Sequence, residues 1–447
     1  MQKENMLYQT FLQILKEEMI PAMGCTEPIA IALAAAKARE VLGEMPDSVV
    51  TSVSNNLVKN AKSVVVPNTE GLKGISAAVA AGIVAGKAEK ELEVIAEVQK
   101  GEIAKIRKFL DTVPIRVEQL DNDITFDLYV EVKKGKNSAL VHIQEYHTNI
   151  VEVKKNDEII FVKDEYKEKM EHDGVHQKEK CDENANAEKT KAVKEADRDL
   201  LTLEDIYEFA NTVDLEDVRN VISKQIDYNT RIAEEGMRGD YGANIGSTIL
   251  KTYGTSIENR AKAYAAAGSD ARMSGCEMPV VINAGSGNQG ITVSIPVIVY
   301  AKEMHTTEEI LYRALVLSNL TSVHVKTGIG RLSAYCGAVS AGCAAGCGIA
   351  YLYGGNYEVI AHTLVNALAI CSGMICDGAK ASCAAKIASS VEAGILGYHM
   401  FCNGQEFRDG DGIVTKGVEN TIQNVSRLGK EGMKETDKEI VRIMLRK

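Results

Sequence analysis

Cys376 and Cys383 bracket the segment Cys-Asp-Gly-Ala-Lys-Ala-Ser-Cys, and together with Cys336 they lie in surroundings suited to holding an iron–sulfur cluster. On an unbroken helix, residues seven apart are about 10.5 Å apart along the axis, too far for two ligands of one small cluster. Asp377-Gly378 is a strong turn signal, however, and a backbone that folds back there can bring the two sulfurs together. The other thiols have a plainer reading. Cys343, Cys347 and Cys371 lie in Gly/Ala-rich helical sequence, where cysteine usually packs. The sequence has neither a zinc-type CxxC pair nor the C-x3-C-x2-C of radical enzymes.

A second reactive position is Cys25, in Met-Gly-Cys-Thr-Glu-Pro. Pro28 suits the first turn of a helix, which puts Cys25 just ahead of a helix N-terminus, where the backbone dipole favours a thiolate. Asn55, Asn56, Lys59 and Asn60 crowd amides and an ammonium into one short segment. The segment Gly285-Ser-Gly287-Asn288-Gln-Gly290 spells a dinucleotide fingerprint after the strand-like run 279–283. It lacks the acidic residue on a second strand and the alternating strand–helix series that such a site needs. A glycine turn offering backbone N–H groups to a carboxylate is the better reading. Lys59, Lys326 and Lys380 sit in small-residue contexts that could suit a pyridoxal phosphate imine, but a solvated lysine is the simpler account of each.

The elements that must position these residues are mostly helical. Leu7, Phe11, Ile14 and Leu15 recur at helical spacing until Pro21, and the Ala-rich run to Leu42 and the segment 74–90 follow suit. Residues 48–54 look extended. After a helix over 102–110, alternation at 115–120, 125–132, 139–144, 150–153 and 159–162 predicts strands. The expected fold is α+β: a mostly helical body with buried Gly/Ala-rich helices (residues 1–90 and 201–447) plus a small antiparallel α/β subdomain (91–162). Between 163 and 200, nine Lys or Arg and twelve Asp or Glu occupy 38 positions, which reads as a charged linker or insertion. Its His172, His176 and Cys181 could clip a metal, though a solvated stretch is the simpler reading. Thr202-Leu-Glu-Asp205 has a capping-box pattern and reopens the helical part.

Composition narrows the function. A net charge of −11 offers no basic face for nucleic acid or anionic lipid, so a small-molecule partner is expected. Ten cysteines, behind an N-terminus that reads MQKENMLYQTF with no leader pattern, point to a reducing cytoplasm. Residues 332–376 carry one charged residue, Glu358, but they are dominated by Gly, Ala, Ser and Cys. That composition suits a helix buried in protein better than one in lipid.

With these motifs assembled, Met-Gly-Cys25-Thr-Glu-Pro, Ser-Asn-Asn-Leu-Val-Lys-Asn60, Ala-Gly-Ser-Gly-Asn-Gln-Gly290 and Cys376-Asp-Gly-Ala-Lys-Ala-Ser-Cys383, the chain resembles the L-cysteine desulfidase family, related to the iron–sulfur L-serine dehydratases. The resemblance covers nearly the whole chain except the charged insertion. It implies cluster ligands at Cys336, Cys376 and Cys383, with Cys343 as the fallback for Cys336, and a proton acceptor at Cys25. It further implies a [4Fe–4S] cluster with one iron left open, no pyridoxal phosphate, and β-elimination from L-cysteine to pyruvate, ammonia and hydrogen sulfide. Asn55, Asn56, Lys59, Asn60, Gly285, Gly287, Asn288 and Gly290 are the candidates for orienting the amino acid. A homodimer is the expected assembly. The alternatives are an L-serine dehydratase with the same cluster, or a non-catalytic iron–sulfur or redox-sensing protein in which Cys347, Cys371 or Cys402 completes the ligand set.

Overall fold

The computed structural model of the chain describes residues 1–120, 122, 124–164, 166–167, 196–330 and 332–445. Most of the segment 163–200, including His172, His176 and Cys181, falls outside them. The chain forms two compact units. The first comprises Met1–Thr26, Lys59–Pro67 and Ala196–Lys447, and the second Glu27–Val58 and Asn68–Glu195.

The second unit is built on a six-stranded sheet with strand order β3-β2-β4-β5-β6-β7. Its strands are β2 (Ser48–Val53), β3 (Ile115–Gln119), β4 (Asp127–Lys134), β5 (Asn137–Gln144), β6 (Ile150–Lys155) and β7 (Glu158–Val162). Alternation puts Leu128, Val130 and Val132 of β4 on a fully buried face. The antiparallel expectation needs one correction, because β2 runs parallel to β3 and antiparallel to β4. The cause is the long helical connection from Val53 to Ile115, since a parallel pair requires a crossover rather than a hairpin. Helix α2 (Thr26–Leu42) crosses α4 (Ile75–Ala85) so closely that a side chain on Gly82 would strike the carbonyl of Ala32, and α4 packs on α5 (Lys100–Thr112). Helix α3 (Asn55–Ala61) carries the amide-rich segment.

The first unit is almost all helix. It opens with α1 (Met6–Glu18), which buries Phe11, Ile14 and Leu15 as their spacing predicts. Helix α6 (Leu203–Thr212) starts where the capping pattern indicated, with the Thr202 side chain accepting from the N–H of Asp205 at 3.1 Å. There follow α7 (Leu215–Arg238), α8 (Ile245–Tyr253), α9 (Ile257–Met273), α10 (Gly287–Glu303), α11 (Glu308–Ile329), α12 (Gly337–Leu352), α13 (Tyr357–Cys371), α14 (Ser382–Cys402), α15 (Val418–Arg427) and α16 (Lys434–Leu445). A two-stranded antiparallel pair, β1 (Pro21–Met23) with β8 (Pro279–Val281), completes it.

Helix α12 is the centre of this unit. It packs against α10, α11, α13 and α14, and nearly every residue on it is buried. Small residues make that possible. A Cβ on Gly346 would lie 2.5 Å from the carbonyl oxygen of Gly394, and one on Gly342 would lie 2.5 Å from the backbone of Ser390. The backbones of α12 and α14 therefore touch directly, which is the reason this stretch is so poor in large apolar residues. Among the described residues no helix is long and apolar enough to cross a membrane.

Filling this contact should cost stability. Gly346→Val is expected to lower the unfolding free energy by about 1–3 kcal/mol, the usual range for overpacking a well-packed core. Denaturant titration followed by circular dichroism measures it, and a midpoint equal to wild type would show that the two helices separate freely.

Candidate active site

The site begins with a short backbone bridge. Tyr335 and Ile375 pair antiparallel, with the N–H of Cys336 donating to the carbonyl of Met374 at 3.0 Å and the N–H of Cys376 donating to that of Ala334 at 2.6 Å. Cys336 and Cys376 are thus diagonal neighbours on the same face of the bridge. Beyond Cys376 the chain turns at Gly378, where φ is +94°. A Cβ there would strike the carbonyl oxygen of Lys59, so both the dihedral angle and the space require glycine. Asp377 braces the turn through ion pairs to Lys380 at 2.6 Å and to Lys386. Burial works against the ionised Asp377, but those two hydrogen bonds prevail and hold its pKa below the usual carboxylate value. The turn delivers Cys383 to the first turn of α14, where its thiol donates to the Gly378 carbonyl at 3.5 Å.

The three thiols are electrostatically linked. Cys336 donates a hydrogen bond to the sulfur of Cys376, which raises the Cys336 pKa well above its ordinary value, and burial adds to this. The same hydrogen bond lowers the pKa of Cys376 against the opposing effect of burial, helped by Lys59, the N–H of Gly378 and Lys326. Burial raises Cys383, and the negative charge at Cys376 contributes. Cys336 and Cys383 sit at the N-termini of α12 and α14, where helix dipoles favour anionic sulfur.

Two buried ammonium groups adjoin this sulfur set. Lys59 has a side chain only 1% exposed and pairs with Asp437 of α16 at 2.5 Å. Lys326, in the last turn of α11, is buried without a hydrogen-bonding or ion-pair partner among the described residues. Burial pushes its pKa down to about 8, Lys59 pushes the same way, and Cys376 and Cys336 oppose them. Lys326 was visible in the sequence only as a lysine among small residues. Its place beside the thiols, like that of Asp437, was not.

Cys25 is buried against Val64 and Met273, and Cys383 and Ala379 pack on the same group of side chains. The hydroxyl of Thr26 donates to the carbonyl of Gly285 at 3.2 Å, tying the segment of Cys25 to the glycine turn. That turn holds Ala284 and Gly285 at positive φ and passes straight into α10. Among the described residues the strand before it, β8, pairs only with β1 and antiparallel, so no parallel sheet of a dinucleotide fold surrounds it there. Asn288 accepts from Arg272 Nη1 at 3.1 Å.

Asn55 accepts a hydrogen bond from Gln119 at the end of β3, and Asn56 is buried with its carbonyl oxygen unpaired among the described residues. Asn60 is buried one residue beyond Lys59. Cys343 meets Cys371, sulfur to sulfur at 3.6 Å. Cys347 faces the carbonyl of Ile360, and Cys402 is exposed. Among the described residues no three His, Cys, Asp or Glu side chains converge on a single metal ion. A multi-iron cluster makes a different demand, because each thiolate binds its own iron and the sulfurs stand apart.

Relatives extend along the whole chain. It is 57% identical over 445 residues to a UPF0597 protein of Desulfitobacterium hafniense (strain Y51), covering 100% of this chain and 98% of that protein. A UPF0597 protein of Lachnoclostridium phytofermentans is 49% identical over 439 residues, with 98% and 100% covered, and one of Treponema denticola is 41% identical over 444 residues, with 98% of each covered. Residues 89–442, which carry all three clustered cysteines, match the family described as serine dehydratase alpha chain, and the chain belongs to that family.

Proposed function

We propose that the chain is an iron–sulfur-dependent lyase that eliminates the β-substituent of a small L-amino acid, with L-cysteine as substrate and pyruvate, ammonia and hydrogen sulfide as products. Membership of the serine dehydratase family supports lyase chemistry. The observation that carries the proposal is the convergence of Cys336, Cys376 and Cys383 beside two buried ammonium groups. That donor set fits a [4Fe–4S] cluster: three soft thiol ligands, two of them at helix N-termini, with Lys326 left unpaired to offset anionic sulfur. Cys336, Cys376 and Cys383 would hold the cluster. Bound through three thiolates, it supplies an iron with an open position, a Lewis acid toward the leaving group.

The residues of the chain supply the rest. Cys25, buried beside Cys383, is the proposed base that takes the Cα proton. The Cα–H electron pair becomes the Cα=Cβ double bond as the Cβ–S bond breaks and sulfide departs. The enamine left behind tautomerises and takes up water, releasing ammonia and pyruvate. Lys59, already paired with Asp437, offsets thiolate charge, and the glycine turn at 285–290 with Asn288 provides polar groups for orientation. The walls of this site are Ala, Val and Met side chains, which limit water around the reacting carbon. Elimination of water from L-serine is the second reading, favoured by the description of the matched family. Initial-rate assays for pyruvate with each amino acid decide between them.

Anaerobically purified protein is expected to contain about four iron and four acid-labile sulfide per chain. Replacing Cys336, Cys376 or Cys383 by Ser should remove the brown chromophore, whereas Cys343→Ser should keep it. Retained colour in Cys376→Ser would sink the ligand assignment.

Cys25→Ala should bind its cluster normally and still change its spectrum on addition of L-cysteine. Pyruvate formation should fall by about 100-fold or more, in the range of losing a general base, and Cα proton exchange with deuterated solvent should fall with it. Exchange at the wild-type rate would assign the base to another residue.

A further inference from the structure

We propose that Arg272 binds the carboxylate of the amino-acid substrate at the N-terminus of α10, with Gln289 accepting from its ammonium group. This deepens the lyase reading and rests on it. Arg272, in the last turn of α9, is only 3% exposed. One nitrogen, Nη1, donates to the side chain of Asn288 at 3.1 Å, while Nε and Nη2 have no hydrogen-bonding partner among the described residues. A guanidinium is always charged and carries five donors, and burying one without an anion is costly. Its surroundings suit an incoming carboxylate.

The guanidinium lies across the first turn of α10. A Cβ on Gly287 would collide with Nε and come within 2.7 Å of Cζ, so glycine keeps the fork against the helix end. Ser286, at the start of that 17-residue helix, contributes no side-chain cap. A planar donor fork and a helix N-terminus therefore lie against each other, and both favour a carboxylate. Gln289 supplies the opposite polarity. It is 4% exposed, and its Oε1 has no donor among the described residues. Unpaired donors and an unpaired acceptor at one helix end match a zwitterion better than a simple anion.

The location fits the chemistry as well. Met273, next to Arg272 in the chain, packs on Cys25. The Gln289 amide sits where a Cβ on Gly337 would approach its Cδ to 2.6 Å, one residue past Cys336. A carboxylate on Arg272 is therefore held between the neighbours of the proposed base and of a proposed cluster ligand.

Calorimetric titration of the anaerobically purified full chain with L-alanine, L-alaninamide and propionate tests this, because none of the three has a β leaving group to turn over. Wild type should bind L-alanine at least about 10-fold more tightly than L-alaninamide. Arg272→Gln should weaken L-alanine by about 10- to 100-fold, the range for losing charge-assisted hydrogen bonds, and erase the preference. Arg272→Lys should fall between them, and it carries the test if Arg272→Gln does not fold. L-Alanine bound at wild-type affinity by folded Arg272→Gln, or no preference in wild type, overturns the proposal; if such a protein still forms pyruvate from L-cysteine, the lyase reading survives. Propionate bound as tightly as L-alanine, with both lost in Arg272→Gln, keeps the carboxylate site while overturning the role of Gln289 and arguing against an amino-acid substrate.

Discussion

The direct contact between the backbones of α12 and α14 sets the geometry of the helical unit. Gly342, Gly346 and Gly394 leave no side chain between the two helices, and Ser390 adds only a hydroxymethyl group. Each glycine weakens its own helix by roughly 0.5–1 kcal/mol relative to alanine. The compensation is contact between tightly packed backbones and burial of α12 on all sides. Cys336 and Cys383 stand at the starts of these same helices, so the crossing that fixes the helix axes also fixes two sulfurs. Cys376 needs only the bridge between Tyr335 and Ile375 to join them.

Electrostatics separates Cys376 from the other buried thiols. Cys343 and Cys347 are as buried as Cys336, and burial raises the pKa of each, so they remain protonated packing groups. Cys376 differs because a neighbouring thiol donates to it and two ammonium groups face it. Lys326 is the more exacting partner. An ammonium buried without a carboxylate is stabilised only by negative charge nearby, and sulfur is the nearest source of it. The arrangement favours an anionic sulfur at Cys376 before any metal is considered.

The turn at 285–290 shows how far context decides the meaning of a motif. Its glycine spacing is that of a dinucleotide site, yet the strand before it belongs to a two-stranded antiparallel pair. What it retains from that resemblance is the physics of a helix N-terminus, now beside a buried guanidinium instead of a pyrophosphate.

Much of this was legible from local signals. Helical spacing marked α1, alternation marked β4 and β5, and Pro28 marked the start of α2, because each depends on residues a few positions apart. The fold-back at Asp377-Gly378 was legible too, since a turn is encoded within two residues, and with it the approach of Cys383 to Cys376. The parallel pairing of β2 with β3 was not, because the partner strand lies more than sixty residues away across a helical connection. Nor were the meeting of Cys343 with Cys371, the ion pair of Lys59 with Asp437, or the placement of Lys326 and Arg272 beside the cysteines. A lysine or arginine reads alike in sequence whether solvated or buried. Only helix crossings, set by the packing of small residues far apart in the chain, decide which charges lose their water and what they must then face.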